Sequence, residues 1–284
     1  MILAVDIGNT TTSFGVFERG RLRSHFAIAT QSNRTPDEIT LQLKALANTR
    51  RLHLKRARQI MLCSVVPRMS SVLIQALRSL HTVPLRIVGQ DLQVPLTNRY
   101  TYPEQVGQDR LVGAYAAWQE FGKGRARPGG RERRTGGARG KGRGGRGGDC
   151  IVADFGTAIT IDVVTQQGEY LGGLIAPGLE LSLDALAART ALLPKVELRE
   201  PPELLGRDTA NSIRAGLVYG CAALCDGLVD QLKRRYVPGA TVVATGGASA
   251  LIARHAKTID HLRPHLVLEG LARLGLPGLP KKRS

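Results

Sequence analysis

Two short stretches of the chain carry the residue types that hold phosphate. Asp6-Ile7-Gly8-Asn9-Thr10-Thr11-Thr12-Ser13 sets an acid at the end of an apolar run, a glycine at the turn, then an amide and a row of hydroxyls. Gly8 admits close backbone approach, exposed N–H groups and hydroxyls donate to phosphate oxygens, and Asp6 can hold the counter-cation. Asp154-Phe155-Gly156-Thr157-Ala158-Ile159-Thr160 repeats the pattern. Either stretch alone equally suits a plain hairpin turn, where Asp and Gly are favoured. Facing each other, the two would clamp a nucleotide polyphosphate with a divalent metal between them.

A third stretch, Tyr100 to Arg110, sets Asp109 at the start of an expected helix and beside the cation Arg110. The helix dipole and that cation should keep the carboxylate ionised, near an ordinary pKa of about 3.9, and able to take a proton. The plainer alternative is an N-cap followed by a surface charge. Thr245-Gly246-Gly247-Ala248, between an apolar run and a helical one, suits either the approach of a base or ribose to backbone or a simple turn. The six histidines are scattered and most of them read as surface residues, and Cys63, Cys150, Cys221 and Cys225 form no C-x-x-C pair. A zinc site, a disulfide framework and a catalytic triad are therefore not expected.

The elements that must position these residues follow from hydrophobic period and punctuation. Strands are expected at 1–8, 11–17 and 21–28, then a helix opened by Thr35-Pro36-Asp37-Glu38, which combines an N-cap, a proline at the first helical position and a capping box. A strand at 59–66 ended by Pro67, a helix at 70–79, a strand at 85–88 and a helix at 108–121 complete the first segment. The second runs through strands at 150–154, 158–164 and 170–175, helices at 179–189 and 212–236, a strand at 240–244 and a helix at 249–254. A last strand and helix are expected within 266–274.

At a fixed offset of 148, Asp6 meets Asp154, Gly8 meets Gly156, Thr12 meets Thr160, Val16 meets Val164 and Gly20 meets Gly168. Self-similarity falling on the acid, the loop glycine and the hairpin glycine indicates a duplication, and so two related lobes with a cleft between them. With 284 residues, 43% hydrophobic and 22% charged, the chain can bury such a core, largely from Leu, Ile, Val and Ala. Its net charge of +17 suggests a polyanion partner, but residues 122–148 hold ten Lys or Arg, twelve Gly and one Glu, and so carry +9 of it. Without aromatics, this segment reads as a disordered loop, either a tolerated insertion or a weak, non-specific RNA contact. The expected division is an N-terminal lobe at 1–121, a Gly/Arg-rich insertion at 122–149 and a C-terminal lobe at 150–284. With no basic leader or long apolar start, the chain reads as soluble, reduced and cytoplasmic, with no membrane partner.

The ordered motifs resemble those of the type III pantothenate kinases. They are D-I-G-N-T at Asp6–Thr10, S-V-V-P at Ser64–Pro67, Tyr100 and Pro103 ahead of G-x-D-R at Gly107–Arg110, and D-F-G-T-A at Asp154–Ala158. Further on come G-E-Y-L-G-G-x-I-x-P-G at Gly168–Gly178, Thr209 before S-I-R-A-G at Ser212–Gly216, T-G-G at Thr245–Gly247 and L-V-L-E-G-L at Leu266–Leu271. The resemblance implies an α/β fold of two duplicated ribonuclease-H-like lobes, of the acetate-kinase and actin type. It implies ATP-dependent phosphorylation of pantothenate, the first step of coenzyme A biosynthesis, with Mg²⁺ and a monovalent cation, K⁺ or NH₄⁺. Asp6, Ile7, Gly8, Asn9, Thr10, Thr11, Thr12 and Ser13 would form the first ATP loop, with Asp6 reaching Mg²⁺ through phosphate or water, and Thr157 would contact ATP from the second. Asp154 would hold the monovalent cation. Tyr100, Gly107, Gln108, Asp109, Arg110 and Thr209 would bind pantothenate, with Asp109 as proton acceptor and Arg110 as a fixed cation for an anionic group. Family members are homodimers with the site near the dimer interface.

Gln108 stands where the family motif usually has Ala, and Ala248 where Asp commonly follows T-G-G, so both alter pocket walls. A regulatory or nucleic-acid-binding protein on the same fold is the alternative from another class. A kinase of another small alcohol is the alternative within the class. Asp6, Asp109, Asp154 and Thr157 together favour the enzyme.

Overall fold

The computed structural model describes residues 1–52, 56–123 and 147–276. Two sheets are built to one plan. The first contains β1 (Ile2–Ile7), β2 (Thr11–Glu18), β3 (Arg21–Ala29), β4 (Gln59–Ser64) and β5 (Leu85–Ile87), in the spatial order β3-β2-β1-β4-β5. The second contains β7 (Cys150–Phe155), β8 (Ala158–Val164), β9 (Glu169–Pro177), β10 (Thr241–Thr245) and β11 (His261–Leu262), in the order β9-β8-β7-β10-β11. In both, three antiparallel strands lead into two that run parallel to the first. The duplication read from the sequence is thus a duplication of topology.

The equivalence is not one fixed offset. Asp6 pairs with Ser13 across β1 and β2, whereas Asp154 pairs with Thr160 across β7 and β8. The loop after β7 is one residue shorter than the loop after β1, so Ser13, not Thr12, is the counterpart of Thr160. The following hairpin restores the offset of 148 with a longer turn, and Gly20 (φ 76°) and Gly168 (φ 81°) both supply its left-handed residue.

Helices fill the layers around the sheets. α1 (Pro36–Thr49) carries the expected capping box, with Glu38 N–H donating to Thr35 Oγ1 at 3.3 Å and Thr35 N–H to Glu38 Oε2 at 2.7 Å. α2 (Pro67–Leu80) begins three residues before the expected start, because Pro67 fits a first helical position where its missing N–H costs nothing. Both pack on one face of the first sheet around Leu3, Val5, Phe14, Ile39 and Leu73. α4 (Leu179–Arg189), α5 (Thr209–Arg235) and α6 (Ser249–Ile252) follow in the second half, and Val218, Val229 and Ile252 cover the outer face of the second sheet. By length and composition α5 could cross a membrane, but Val218, Ala222, Cys225 and Val229 bury one of its faces in this core.

Between the sheets lie α3 (Gln108–Ala117) and α7 (Leu266–Leu274), joined through Val112, Ala116, Leu268 and Leu271. They are largely exchanged: α3, from the first half, packs mainly on β7 and β8 and also touches β4, while α7, from the second, packs on β1, β2 and β4. The strand expected within 266–274 is helix throughout, and the last strand lies earlier, at His261–Leu262. α7 does carry a one-sided pattern, with its two charges Glu269 and Arg273 four residues apart on one face, but its continuous apolar start Leu266-Val267-Leu268 reads locally like a buried strand. After Ala117 the backbone widens into a π-turn at Trp118–Gly122, where the Trp118 indole N–H donates to Gln166 O at 2.8 Å. β6 (Thr97–Asn98), unforeseen in the sequence, adds to the second sheet beside β9. The insertion expected at 122–149, with its RNA contact, lies outside the described residues from 124 to 146.

Candidate active site

The two β-turns after β1 and β7 face each other across a cleft of about 620 Å³. Gly8 N–H donates to Thr11 O at 3.1 Å, and Gly156 N–H to Ala158 O at 3.2 Å, closing each loop on itself. Thr30 Oγ1 ties the first loop down by donating to Gly8 O at 2.8 Å. The loops touch where Thr10 Oγ1 lies 2.8 Å from Thr157 Oγ1. Of the first-loop residues expected to hold ATP, Asp6, Gly8, Asn9, Thr10, Thr11 and Ser13 line the cleft. Ile7 and Thr12 do not: Ile7 is core, and Thr12 is buried with its hydroxyl on Thr30. Strand alternation turns these two side chains to the other face.

Three carboxylates meet at the cleft floor. Asp6 and Asp154 are the penultimate residues of β1 and β7, and Asp109 is the second residue of α3. Removal from bulk water, with Asp109 nearby, raises Asp6 to about 7, against a hydrogen bond from Cys63 Sγ at 3.2 Å that lowers it. Asp154 is also raised to about 7, by burial, then by Asp109, Asp6 and Asp162. Burial lifts Asp109 as well, although Arg110 N–H donates to its Oδ1 at 2.8 Å. The expectation of an ordinary, firmly ionised Asp109 is therefore corrected, because desolvation outweighs the neighbouring cation. Nor is Asp109 an N-cap, since Gly107 occupies that position.

Such a floor suits a hard cation, which oxygen ligands prefer and which would offset the crowded negative charge. Among the described residues no cluster of three acids, histidines or cysteines is close enough to ligate a metal alone. Phosphate or water oxygens would complete the shell, as Mg²⁺ ordinarily requires.

Arg110 is not a loose surface charge. Its Nη2 lies 2.6 Å from Asp162 Oδ1, with side-chain exposures of 10% and 2%, so the pair is enclosed. Asp162 also accepts from Tyr170 Oη at 2.6 Å and Thr160 Oγ1 at 3.2 Å. Sequence reading missed Asp162 and quoted Tyr170 only within a motif, without a role; the signal for Asp162 was an acid inside the largely apolar strand Ala158–Val164.

At the end of the cleft lined by Thr245 to Ala250, β10 turns into α6 through Gly246 and Gly247. Gly246 has φ 91°, and a Cβ there would collide with Asp154 Oδ1 and approach the Phe155 backbone to 2.7 Å. Ala248 lines the cleft, as do Leu179, Glu180, Leu198 and Ser249, which were not singled out in the sequence. His25 and His265 also line it, stacked at 4.1 Å between ring centroids. Among the described histidines His261 alone is exposed, so the surface reading of that residue type is corrected.

The remaining expected substrate residues stand back from the cleft wall. A Cβ at Gly172 would lie 3.1 Å from the Tyr100 ring, and one at Gly89 would lie 2.9 Å from the Gln108 amide carbon. Gln108 Oε1 is buried without a partner. Thr209 is exposed at the start of α5, behind its N-cap Asp208.

The chain matches the family model described as type III pantothenate kinase over residues 2–126 and 141–231. It is 37% identical over 272 residues to the type III pantothenate kinase of Moorella thermoacetica, covering 95% of this chain and 97% of that one. To the enzyme of that name from Rubrobacter xylanophilus it is 39% identical over 277 residues, covering 95% and 96%. Among solved structures it superposes on a Baf family transcriptional activator from Campylobacter jejuni with a TM-score of 0.52 at 17% identity, covering 96% of both chains. A 2-dehydro-3-deoxygalactonokinase from Sinorhizobium meliloti gives 0.52 at 14% identity, covering 96% and 97%. These structural likenesses establish the shared two-lobed fold. Sequence identity of 37–39% along nearly the whole length does more, and places the chain in the type III pantothenate kinase family.

Proposed function

We propose that the cleft phosphorylates the primary hydroxyl of pantothenate at the expense of ATP, with Asp109 as proton acceptor, opening the route to coenzyme A. The observation that carries this reading is the convergence of Asp6, Asp109 and Asp154 beneath two opposed phosphate loops. Phosphoryl transfer needs positioning and charge neutralisation more than a strong base. Asn9, Thr10, Thr11, Ser13 and Thr157 donate to the phosphate chain from two sides. Asp109, raised toward neutrality by burial, orients the attacking hydroxyl and takes its proton late. Mg²⁺, when bound beside Asp6, neutralises the charge developing on the phosphates.

Asp154 is the residue we assign to a potassium or ammonium ion, since its carboxylate is crowded by three like charges. A homodimer is the finer reading of assembly. Thr209 reaches pantothenate if a second copy presents it, and Ile175, Leu181, Leu204 and Leu205 are exposed apolar side chains on β9, α4 and the chain leading to α5. We place the enzyme in the cytoplasm, a reading supported by four free cysteines. The regulatory, nucleic-acid-binding alternative is not favoured, given the kinase relatives. A coupled assay of ATP turnover with pantothenate against a panel of hydroxy acids and sugars tests the activity, and turnover best supported by another alcohol would overturn it.

A further inference from the structure

The contact between Arg110 and Asp162 joins the two halves of the molecule, from α3 to β8. Arg110 offers one edge of its guanidinium: Nε lies 3.1 Å from Oδ1 and 3.3 Å from Oδ2, and Nη2 lies 2.6 Å from Oδ1. Asp162 is in turn fixed from two further directions, by Tyr170 Oη on Oδ1 and by Thr160 Oγ1 on Oδ2. Burial, Asp162 and Tyr100 hold the Tyr170 phenol well above its usual range, so it remains a donor.

An enclosed ion pair is weak evidence for stability, because desolvating both charges offsets most of their attraction. Its geometry points to a different use. Planar bidentate pairing fixes the direction of a guanidinium as well as its charge. With Nε and Nη2 engaged, Nη1 has no acceptor among the described residues, on a side chain that lines the cleft immediately after Asp109. A guanidinium oriented by one carboxylate, itself held by two hydroxyls, with its Nη1 amino group left over is the arrangement expected of an anion anchor.

We infer that Asp162 and Tyr170 are positioning residues: they hold Arg110 so that its free Nη1 edge receives the carboxylate of the acceptor substrate, and they thereby set selectivity for an anionic alcohol. This rests on the assignment of Arg110 to the pantothenate end of the cleft. Neither residue touches the reacting atoms.

The test compares pantothenate with its analogue in which the carboxylate is replaced by a hydroxymethyl group. Tyr170→Phe removes one hydroxyl from the network. It should raise the pantothenate KM about threefold to tenfold, the scale of one lost hydrogen bond, and leave kcat and the ATP KM unchanged. The kcat/KM for the uncharged analogue should not move, so the preference for the carboxylate narrows by the same factor. Asp162→Asn should narrow it further, and Tyr170→Phe carries the test if that variant fails to fold. Arg110→Ala should abolish the preference, and adding Tyr170→Phe to it should change nothing more. Loss of kcat/KM by the same factor for both substrates in Tyr170→Phe would overturn the inference, as would an undiminished effect on top of Arg110→Ala. If Arg110→Ala keeps the full preference, the underlying assignment of Arg110 fails and the inference falls with it.

Discussion

Thr10 and Thr157, 147 residues apart in the chain, meet hydroxyl to hydroxyl at 2.8 Å and close the space between the two phosphate loops. A phosphate chain entering from the nucleotide end must replace that bond with bonds from each hydroxyl to its own oxygens. Thr157→Ala should therefore raise the ATP KM roughly tenfold, the worth of one hydrogen bond to a charged group, and leave the pantothenate KM alone. Steady-state kinetics with each substrate varied in turn checks this, and an unchanged ATP KM removes Thr157 from the site.

Asp109→Asn keeps the size of the side chain but cannot take the proton. Turnover should fall by about 10² to 10⁴. Because the variant also removes a charge that raises Asp6 and Asp154, its cation-free form should melt no lower than the parent. A loss of activity accompanied by a lower melting temperature would mean that the side chain supports the fold instead.

Asp6 and Asp154 hold protons up to about pH 7 in the folded, cation-free chain, against 3.8 for an ordinary aspartate. Above pH 4 the folded state thus binds more protons than the unfolded one, and their contribution to stability declines as pH rises to about 7. Thermal melts in chelator should show wild type losing stability relative to Asp154→Asn across this window, and Mg²⁺ should flatten the decline. A difference independent of pH contradicts the raised values.

Potassium or ammonium should support faster turnover than sodium, and Asp154→Ala should lose that preference as the carboxylate at the ion's site disappears. Equal rates with the three ions in wild type would end the assignment of Asp154.

Gly246 and Gly247 are neighbours with opposite expectations. Gly246→Ala places a Cβ at φ 91° against Asp154 and Phe155, whereas a Cβ at Gly247 meets nothing within 4 Å. The first substitution should cost on the order of 1–3 kcal/mol or more, and the second should leave the melting temperature nearly unchanged. Differential scanning calorimetry of the pair decides it, and equal melting temperatures would refute the close-approach argument.

Local features were legible in the sequence: the capping box at Thr35 and Glu38, the strand ends at Asp6 and Asp154, the hairpin glycines. Each depends on residues within a few positions of one another. Register was less so. The offset of 148 pairs Thr12 with Thr160, and only the hydrogen-bonded ladder shows that Ser13 is the true counterpart. Least legible were contacts assembled from distant segments. Leu198 and His265 carry no local mark of a cleft, and Asp162 is marked only by its apolar neighbours. The pKa of Asp109 was misjudged for a related reason, since its burial is made by elements on both sides of the chain's midpoint.

The exchange of α3 and α7 bears on how the chain is made. The faces of β1, β2 and β4 that α7 covers belong to strands synthesised first, while α7 follows the whole second sheet. A nascent first half leaving the ribosome therefore shows an apolar face whose main cover, α7, is not yet made. Duplicated halves of this kind cannot mature one after the other like beads on a string. The molecule is clasped shut only when its last described helix arrives, and a chain stalled before that point is a natural client for chaperones.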